Sequence, residues 1–469
     1  MLRRPPARLP IFIALPVIGL LAGLALAVFF SLPQVTAFSP AAGAQLVSAR
    51  APIRITFNRS MDRTSVENAL RVAPPMEGAF AWEGNTLIFT HPPWPVESAV
   101  TVMLAGGRSQ RGLPLLGART WTFAVRGERV AYLTPAGGVA NIWVTSLSVE
   151  AVPQPTTAEA HGVYDFDAAP DGARFVYAAL RADGGADLRA INVDGTSATD
   201  LLTCPGAACL SPAFSPDGKR IAYERQTLIP GLTGAVTFGN PQVHLLTLAT
   251  SEDQPLGEAG GQTRFPRWGL DGRLSYLDSI RQALVIRDLA SGAVTYIPNT
   301  SGGSGTWSPD GQFIVYPEIF FPPEPTEALT GTAETEHTDK FFSHLLRVKI
   351  ATNEAQNLSG EGVVEDASPV YAPAGDWLAF ARKGLDASQW TPGRQLWLMR
   401  ADGSEAHALT AEPFYNHSAF VWRPDGQAIV YMRFNAADLA QPAEIWVINA
   451  DGTGARRLVA NGYLPRWLP

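Results

Sequence analysis

Two cysteines, seven histidines and one acid-rich stretch are the places in this 469-residue sequence where chemistry could reside. Cys204 and Cys209 frame the run Cys-Pro-Gly-Ala-Ala-Cys. A redox centre takes Cys-x-x-Cys at the start of a helix, and a zinc site needs two further ligands close by; neither pattern is present. A close pair in a Pro-Gly loop outside the cytoplasm reads as a local disulfide staple. The histidines are His91, His161, His244, His337, His344, His407 and His417, and no two of them form a His-x-x-x-His pair. His337 lies beside Glu334, Glu336 and Asp339, the one place where potential metal ligands gather. The competing reading is a solvated acidic insertion. His161 and His417 each precede a strand and read as structural or surface residues. No Gly-x-Ser-x-Gly elbow occurs. Paired carboxylates for glycoside hydrolysis cannot be read from separated segments. No catalytic residue, metal ligand or cofactor is therefore assigned.

The elements that would position any site are repeats. Phe214-Ser-Pro-Asp-Gly-Lys-Arg-Ile-Ala-Tyr223 recurs as Trp307-Ser-Pro-Asp-Gly-Gln-Phe-Ile-Val-Tyr316 and as Trp422-Arg-Pro-Asp-Gly-Gln-Ala-Ile-Val-Tyr431. Looser copies occupy Phe166–Tyr177, Trp268–Tyr276 and Tyr371–Phe380. In each, an aromatic ends one strand. Pro presets φ, Asp accepts backbone N–H bonds, Gly takes the positive φ, and a β-branched run returns. The turn residues are Asp171-Gly172, Asp217-Gly218, Asp271-Gly272, Asp310-Gly311 and Asp425-Gly426, with Pro373-Ala-Gly375 as a degenerate sixth. A second hairpin follows, best seen at Gln395–Gly403 and Glu444–Gly452. Each unit is four antiparallel strands that cannot bury both faces alone, so the copies must stack, and radial stacking gives a β-propeller.

Six turns give six internal blades. Arg129–Leu133 and Asn141–Leu147 look like second and third strands lacking a first. Tyr463-Leu-Pro-Arg-Trp467 matches the first strand Arg264-Phe-Pro-Arg-Trp268 but has no partner of its own. Joining the two remnants predicts a seventh blade that closes the ring and leaves no free sheet edge; six blades is the alternative. Trp143, Trp397 and Trp446 recur in third strands, and Trp268, Trp307, Trp422 and Trp467 in first strands. That regularity predicts packing between blades rather than sugar stacking.

These repeats resemble the TolB-like, WD40-like propeller family with PD40 repeats, over about 129–469. The family includes periplasmic scaffolds of envelope complexes and the propeller halves of prolyl-oligopeptidase-type enzymes, whose Ser nucleophile lies in a separate hydrolase domain. Before them, residues 33–126 carry strands at Ile53–Phe57, Ala79–Trp82, Thr86–Thr90, Ala99–Met103 and Thr120–Val125, with a short helical stretch in Asp62–Leu70. Phe38-Ser-Pro-Ala-Ala-Gly-Ala, Ile55-Thr-Phe-Asn-Arg-Ser-Met-Asp62 and Trp121-Thr-Phe together resemble the bacterial Ig-like β-sandwich of the S-layer SbsA type, which implies a spacer or adhesion module.

Residues 1–32 complete the organisation. Arg3, Arg4 and Arg8 precede the apolar stretch Ile11–Phe30, which is long enough to span a bilayer as a helix. Arginines on that side alone predict a single-pass anchor with a cytoplasmic N-terminus and the bulk of the chain outside. A cleaved signal peptide, with Ala25-Leu26-Ala27 as its small-residue site, is the alternative. The net charge is −7, and without those arginines the remainder is more negative still. This disfavours nucleic acid, which wants a basic stripe.

In a four-stranded meander the Pro-Asp-Gly and Asp-Gly turns share one face of the disc. Second-to-third loops and blade links share the other, and every long insertion falls in that second set: Gln226–Asn240, Pro317–Ser343, Lys383–Gly393 and Asn435–Ala443. The longest carries Glu318, Glu324, Glu327, Glu334, Glu336, His337 and Asp339, with Phe320-Phe321 and Phe341-Phe342 at its ends. Long loops on a rigid scaffold are where binding sits. The expectation is an all-β, membrane-anchored, non-enzymatic binding or scaffold protein that takes a protein or peptide partner on this face. The alternative is a carbohydrate- or wall-polymer-binding protein, or a hydrolase or lyase, with its site in the central channel.

Overall fold

The computed structural model describes residues 32–44, 47–147, 151–231, 236–258, 260–321, 341–386 and 388–468, and the chain divides at Gly127/Glu128 into two compact units. The apolar stretch 11–30 lies outside the described residues. Among those described, no helix is long and apolar enough to cross a membrane.

The first unit is a sandwich. One sheet orders Val35–Ser39, Ile53–Phe57, Thr86–Thr90 and Ala79–Glu83; the other orders Leu70–Ala73, Ala99–Leu104 and Arg119–Ala124. Alternation sets the faces: Ile53, Ile55 and Phe57 are buried while Arg54 is exposed, and Val100, Val102 and Leu104 follow the same rule. The helical stretch is a single helix of five residues, Arg63–Glu67. Asp62 caps it by accepting the Ser65 N–H at 3.0 Å, and Met61 and Val66 drop into the core. The Met-Asp pair thus has a mechanical meaning: one residue packs and the next starts the helix. Phe38 and Trp121 stack at 4.2 Å.

In the second unit the described strands group into seven four-stranded blades of a propeller-like array. The second blade is Val163–Ala168, Arg174–Leu180, Ala186–Asn192 and Thr199–Leu202. The third is Ala207–Phe214, Arg220–Pro230, Gln242–Thr247 and Glu252–Pro255; the fourth is Thr263–Trp268, Leu274–Asp278, Ala283–Arg287 and Val294–Pro298. The fifth is Thr306–Trp307, Phe313–Phe320, Phe342–Lys349 and Ala355–Asn357. The sixth is Val364–Tyr371, Trp377–Gly384, Gln395–Arg400 and His407–Ala408; the seventh is Tyr415–Trp422, Ala428–Asn435, Glu444–Asn449 and Arg456–Val459. The first blade draws on both ends of this unit. Tyr463–Leu468 pairs antiparallel with Arg129–Thr134, Trp467 opposite Val130, and Asn141–Ser146 and Gln154–Pro155 follow.

Turn chemistry follows from residue type. Asp171, Asp217, Asp271, Asp310 and Asp425 each accept the backbone N–H two residues on, at 2.9–3.0 Å. The glycine after each has φ between 64° and 84°. Between blades the cores are apolar. The one formed by the seventh and first blades contains Val130, Tyr132, Ala428, Val430, Ile445, Val447 and Trp467.

One feature of the first strands has no signal in the turn motif. Five of them carry a β-bulge at the same place, with Ser211, Phe265, Ser368, Ala419 and Leu464 at φ of 49–59°. A non-glycine residue in that region costs roughly 1–3 kcal/mol and persists only where its surroundings enforce it. The bulge re-aims the strand where it passes the propeller axis.

Candidate functional site

The first strands stand around the axis. In each blade, the residue before the closing aromatic or alanine of that strand pairs with the middle of a buried triplet in the second strand, an apolar triplet except for Ser275 in the fourth blade. From the first blade to the seventh these residues are Arg466, Asp167, Ala213, Arg267, Thr306, Val370 and Val421. Asp165 lies two residues before Asp167, and Glu224 lies within the second strand of the third blade, Arg220–Pro230. Arg267 of the fourth blade is influenced by Arg466 of the first and Asp167 of the second, which are not its neighbours around the disc.

Burial dominates the electrostatics there. It pushes the Asp165 carboxyl up to about 7, against the hydrogen bond from Ser211 and the nearby Arg466. Burial also raises Asp167 and Glu224. Arg267 is lowered, by desolvation first and then by repulsion from Arg466, although its side chain stays open to water in the lumen. Each carboxylate clamps the next blade. Asp165 Oδ2 accepts the Ser211 N–H at 2.8 Å, Asp167 Oδ2 the Phe214 N–H at 2.9 Å, and Glu224 Oε1 the Phe265 N–H at 2.7 Å. Asp165 Oδ1 is buried with no hydrogen-bond partner. The channel wall is charged on blades one to four and neutral on blades five to seven.

The long-loop face has a different character. Among the described residues, the propeller's exposed large apolar side chains fall on this face, apart from Val152, Leu270 and Tyr296. They come from every blade, and include Val139, Tyr164, Phe238, Ile280, Phe321, Trp390, Phe414 and Leu439. Phe321, Trp390 and Leu439 are 72%, 55% and 77% exposed. The insertion Gln226–Asn240 extends the second strand of its blade into a hairpin, Leu228 opposite Phe238 and Pro230 opposite Val236.

The structure redraws the longest insertion. Pro317–Phe320 and Phe342–Ser343 are strand, not loop, and Phe320 pairs with Phe342, their rings stacked at 5.7 Å beside His344. Glu318 is buried: it accepts the Thr300 and Ser301 N–H groups at 3.3 and 3.1 Å and so tethers the preceding link. Its side chain is therefore structural, because strand alternation turns it inward. Phe321 and Phe341 remain exposed at the rim. Glu324, Glu327, Glu334, Glu336, His337 and Asp339 lie outside the described residues.

Cys204 and Cys209 form a disulfide with Cα atoms 6.3 Å apart. Cys204 belongs to the link, but Cys209 lies inside the first strand of the third blade. His417 is fully buried, its Nδ1 2.9 Å from the Arg394 carbonyl and its Nε2 3.4 Å from Glu412. The His417 ring and the Arg433 guanidinium hold the Glu412 carboxyl down, to about 2. Among the described residues no group of His, Cys, Asp and Glu is placed to hold a metal ion.

Sequence reasoning missed the axial charges. Their signal was present: Pro266-Arg267-Trp268 and Pro465-Arg466-Trp467 are the same tripeptide, with a charge where Ala213, Val370 and Val421 are uncharged.

Residues 31–125 match the bacterial Ig-like domain family. No curated protein matches the chain. Among solved structures, the chain is similar to an oligogalacturonate lyase in complex with manganese, at 22% identity and a TM-score of 0.41, over 63% of this chain and 72% of that one. It is similar to the oligogalacturonate lyase of Vibrio parahaemolyticus at 19% identity and a TM-score of 0.41, over 63% and 73%. It is also similar to a protein assigned as TolB from Agrobacterium tumefaciens, at 17% identity and a TM-score of 0.40, over 58% and 94%. These likenesses concern the fold alone.

Proposed function

We propose that this is a membrane-anchored extracytoplasmic binding or scaffold protein. Residues 11–30 are its anchor, and the Ig-like domain is a spacer. Tyr463–Leu468 closes the propeller as a seven-bladed ring, which offers its long-loop face to a protein or peptide partner. The observation that carries this reading is the segregation of exposed apolar side chains. Phe321, Phe341, Trp390, Phe414 and Leu439 all belong to second-to-third loops, strand ends or blade links, whereas the tight-turn face has few such residues. Large exposed apolar patches on soluble folds mark interaction sites, and aromatic anchors dominate interface energetics. A single disc with one polar and one apolar-studded face presents a partner with a defined side.

Site-specific photocrosslinking in cells tests it. A crosslinker at Trp390, Phe414 or Leu439 should capture one discrete protein, and a crosslinker at Val152 or Leu270 should not. Capture of nothing from the first set, or of the same species from both sets, would remove this reading.

A further inference from the structure

We infer that the tight-turn face carries a binding site for a small polyhydroxylated ligand, a neutral sugar unit, in the crevice between the fourth and fifth blades. The site lies away from the long-loop face and does not rest on the reading of that face.

The first observation is a cavity. A crevice of about 420 Å³ opens beside the Asp310-Gly311 turn. That volume falls within the ~300–1,000 Å³ of small-molecule sites. Arg273 and Thr295 of the fourth blade line it, with Asp310, Gln312, Lys349 and Asn353 of the fifth. Ile350 and Ala351 are the only apolar side chains in the lining besides, too few to hold an apolar ligand.

The second observation is what frames it. In the second, sixth and seventh blades the turn between third and fourth strands is Asp-Gly, and Asp194, Asp402 and Asp451 each accept the N–H two residues on. The fifth blade has Ala351-Thr-Asn353 instead. There the Lys349 carbonyl accepts two N–H groups, from Thr352 at 3.2 Å and Asn353 at 2.8 Å, and Asn353 stands at φ 59°. Asn353 Nδ2 then donates to the Tyr296 carbonyl of the fourth blade at 3.1 Å, tying the two blades together beside the crevice. The third blade builds a similar turn with Ser251 at φ 55°, but Ser251 makes no such bridge among the described residues.

The third observation is the inventory of groups left to bind something. Arg273 is committed: it holds Asp271 at 2.6 Å, donates to the Gly311 carbonyl and lies 5.2 Å from the centre of the Trp307 ring. It serves as a fixed wall. Asp310 is ionised, because the Ser308 hydroxyl at 2.6 Å and the Gln312 N–H at 3.0 Å both bind its Oδ1 and hold the carboxyl below its usual range. Among the described residues its Oδ2 accepts no hydrogen bond, Lys349 forms no ion pair, and the Gln312 amide and Thr295 hydroxyl have no partner. The lining is thus balanced in charge, Arg273 by Asp271 and Lys349 by Asp310. An anion would meet Asp310, and a cation would meet Lys349. A hydroxyl donates to the first and accepts from the second through one atom. A ring bearing several hydroxyls engages the amide and the threonine as well.

Calorimetric titration of the full-length protein tests the inference, with glucose and N-acetylglucosamine as sugar probes and sodium phosphate and glycine as charged ones. We expect saturable binding of at least one sugar and of neither charged probe. Lys349→Met and Asp310→Asn should each weaken sugar binding about tenfold, the worth of one hydrogen bond to a charged group. Asp217→Asn is the control: Asp217 accepts from Ser215 and Lys219 as Asp310 does from Ser308 and Gln312, but in another blade, and its variant should bind as the wild type does. A measurement that needs no variant is lysine acetylation of the wild-type protein, read by mass spectrometry, in which bound sugar should slow modification of Lys349 and leave Lys219 unchanged. No saturable binding of either sugar would overturn the inference. So would sugar binding that Lys349→Met and Asp310→Asn leave unchanged, or saturation by phosphate or glycine that Lys349→Met abolishes.

Discussion

Trp422 donates its indole N–H to the carbonyl of Val370, 3.1 Å away and one blade back. Trp268 does the same to Ala213 at 3.0 Å, and Trp307 reaches Arg267 at 3.3 Å and Ser275 Oγ at 2.8 Å. The aromatic that ends a first strand is therefore a bolt: its ring fills the gap between blades and its N–H ties the next strand to the last. Removing the bond alone and removing the ring should cost different amounts. Trp422→Phe keeps most of the ring but leaves the Val370 carbonyl unmatched, which costs about 1 kcal/mol. Trp422→Ala also opens a cavity, raising the loss to about 3–5 kcal/mol. Urea unfolding of the two variants checks this, and a Phe variant as stable as wild type would show that the bond contributes nothing.

The last strand carries more than its own hydrogen bonds. Trp467 is buried in the core between the seventh and first blades, while Leu468 is buried in the core between the first and second. Deleting Tyr463–Leu468 therefore strips side chains from two inter-blade cores and exposes the edge of Arg129–Thr134. The expected result is a propeller that melts well below the full-length protein, read by calorimetry, with the Ig-like domain's own transition left in place. An unchanged propeller transition would sink ring closure by this strand.

The turns were legible because Asp217 and Gly218 act locally: one side chain caps an N–H two residues on, and one backbone takes a positive φ. The Ig-like motif was legible for the same reason, since Met61 and Asp62 do adjacent jobs. Glu318 was misread because an acid beside an acid-rich insertion looks solvated, and only strand alternation turns it inward. The axial site was harder still. Arg267 and Arg466 are far apart in sequence, and each sits in a strand whose pattern is otherwise that of a packing element. They lie in the first strands of two different blades, so only the shared Pro-Arg-Trp tripeptide relates them in the sequence.

The disulfide should be modest in energy and insulated from reductant. Cys204 and Cys209 are both fully buried. They close a loop of only a few residues, so the chain-entropy gain is about 2 kcal/mol. Replacing both with serine should lower unfolding stability by about that amount. Thiol labelling of unreduced, denatured protein should find no free thiol; two labelled cysteines would remove the staple.

Asp165 makes a sharper prediction, because its sign is the reverse of the usual acid. Its folded-state value of about 7 lies above the ordinary carboxylate value of about 3.9 expected in the unfolded chain. Between those two values the folded protein holds a proton that the unfolded chain has released. Stability must then fall as pH rises through that window, and level off above about 7. Arg466 and the Ser211 N–H favour the charged form and Glu224 opposes it, but burial outweighs them. Asp165→Asn keeps an oxygen for the Ser211 N–H and cannot ionise. Relative to wild type it should gain stability steadily from pH 4 to pH 7 and hold that gain at pH 8. Chemical unfolding of both proteins across this range, in phosphate-free buffer, measures the difference. A difference that stays flat with pH would mean that the Asp165 carboxyl titrates as it does in water, and that the channel is wetter than its packing indicates.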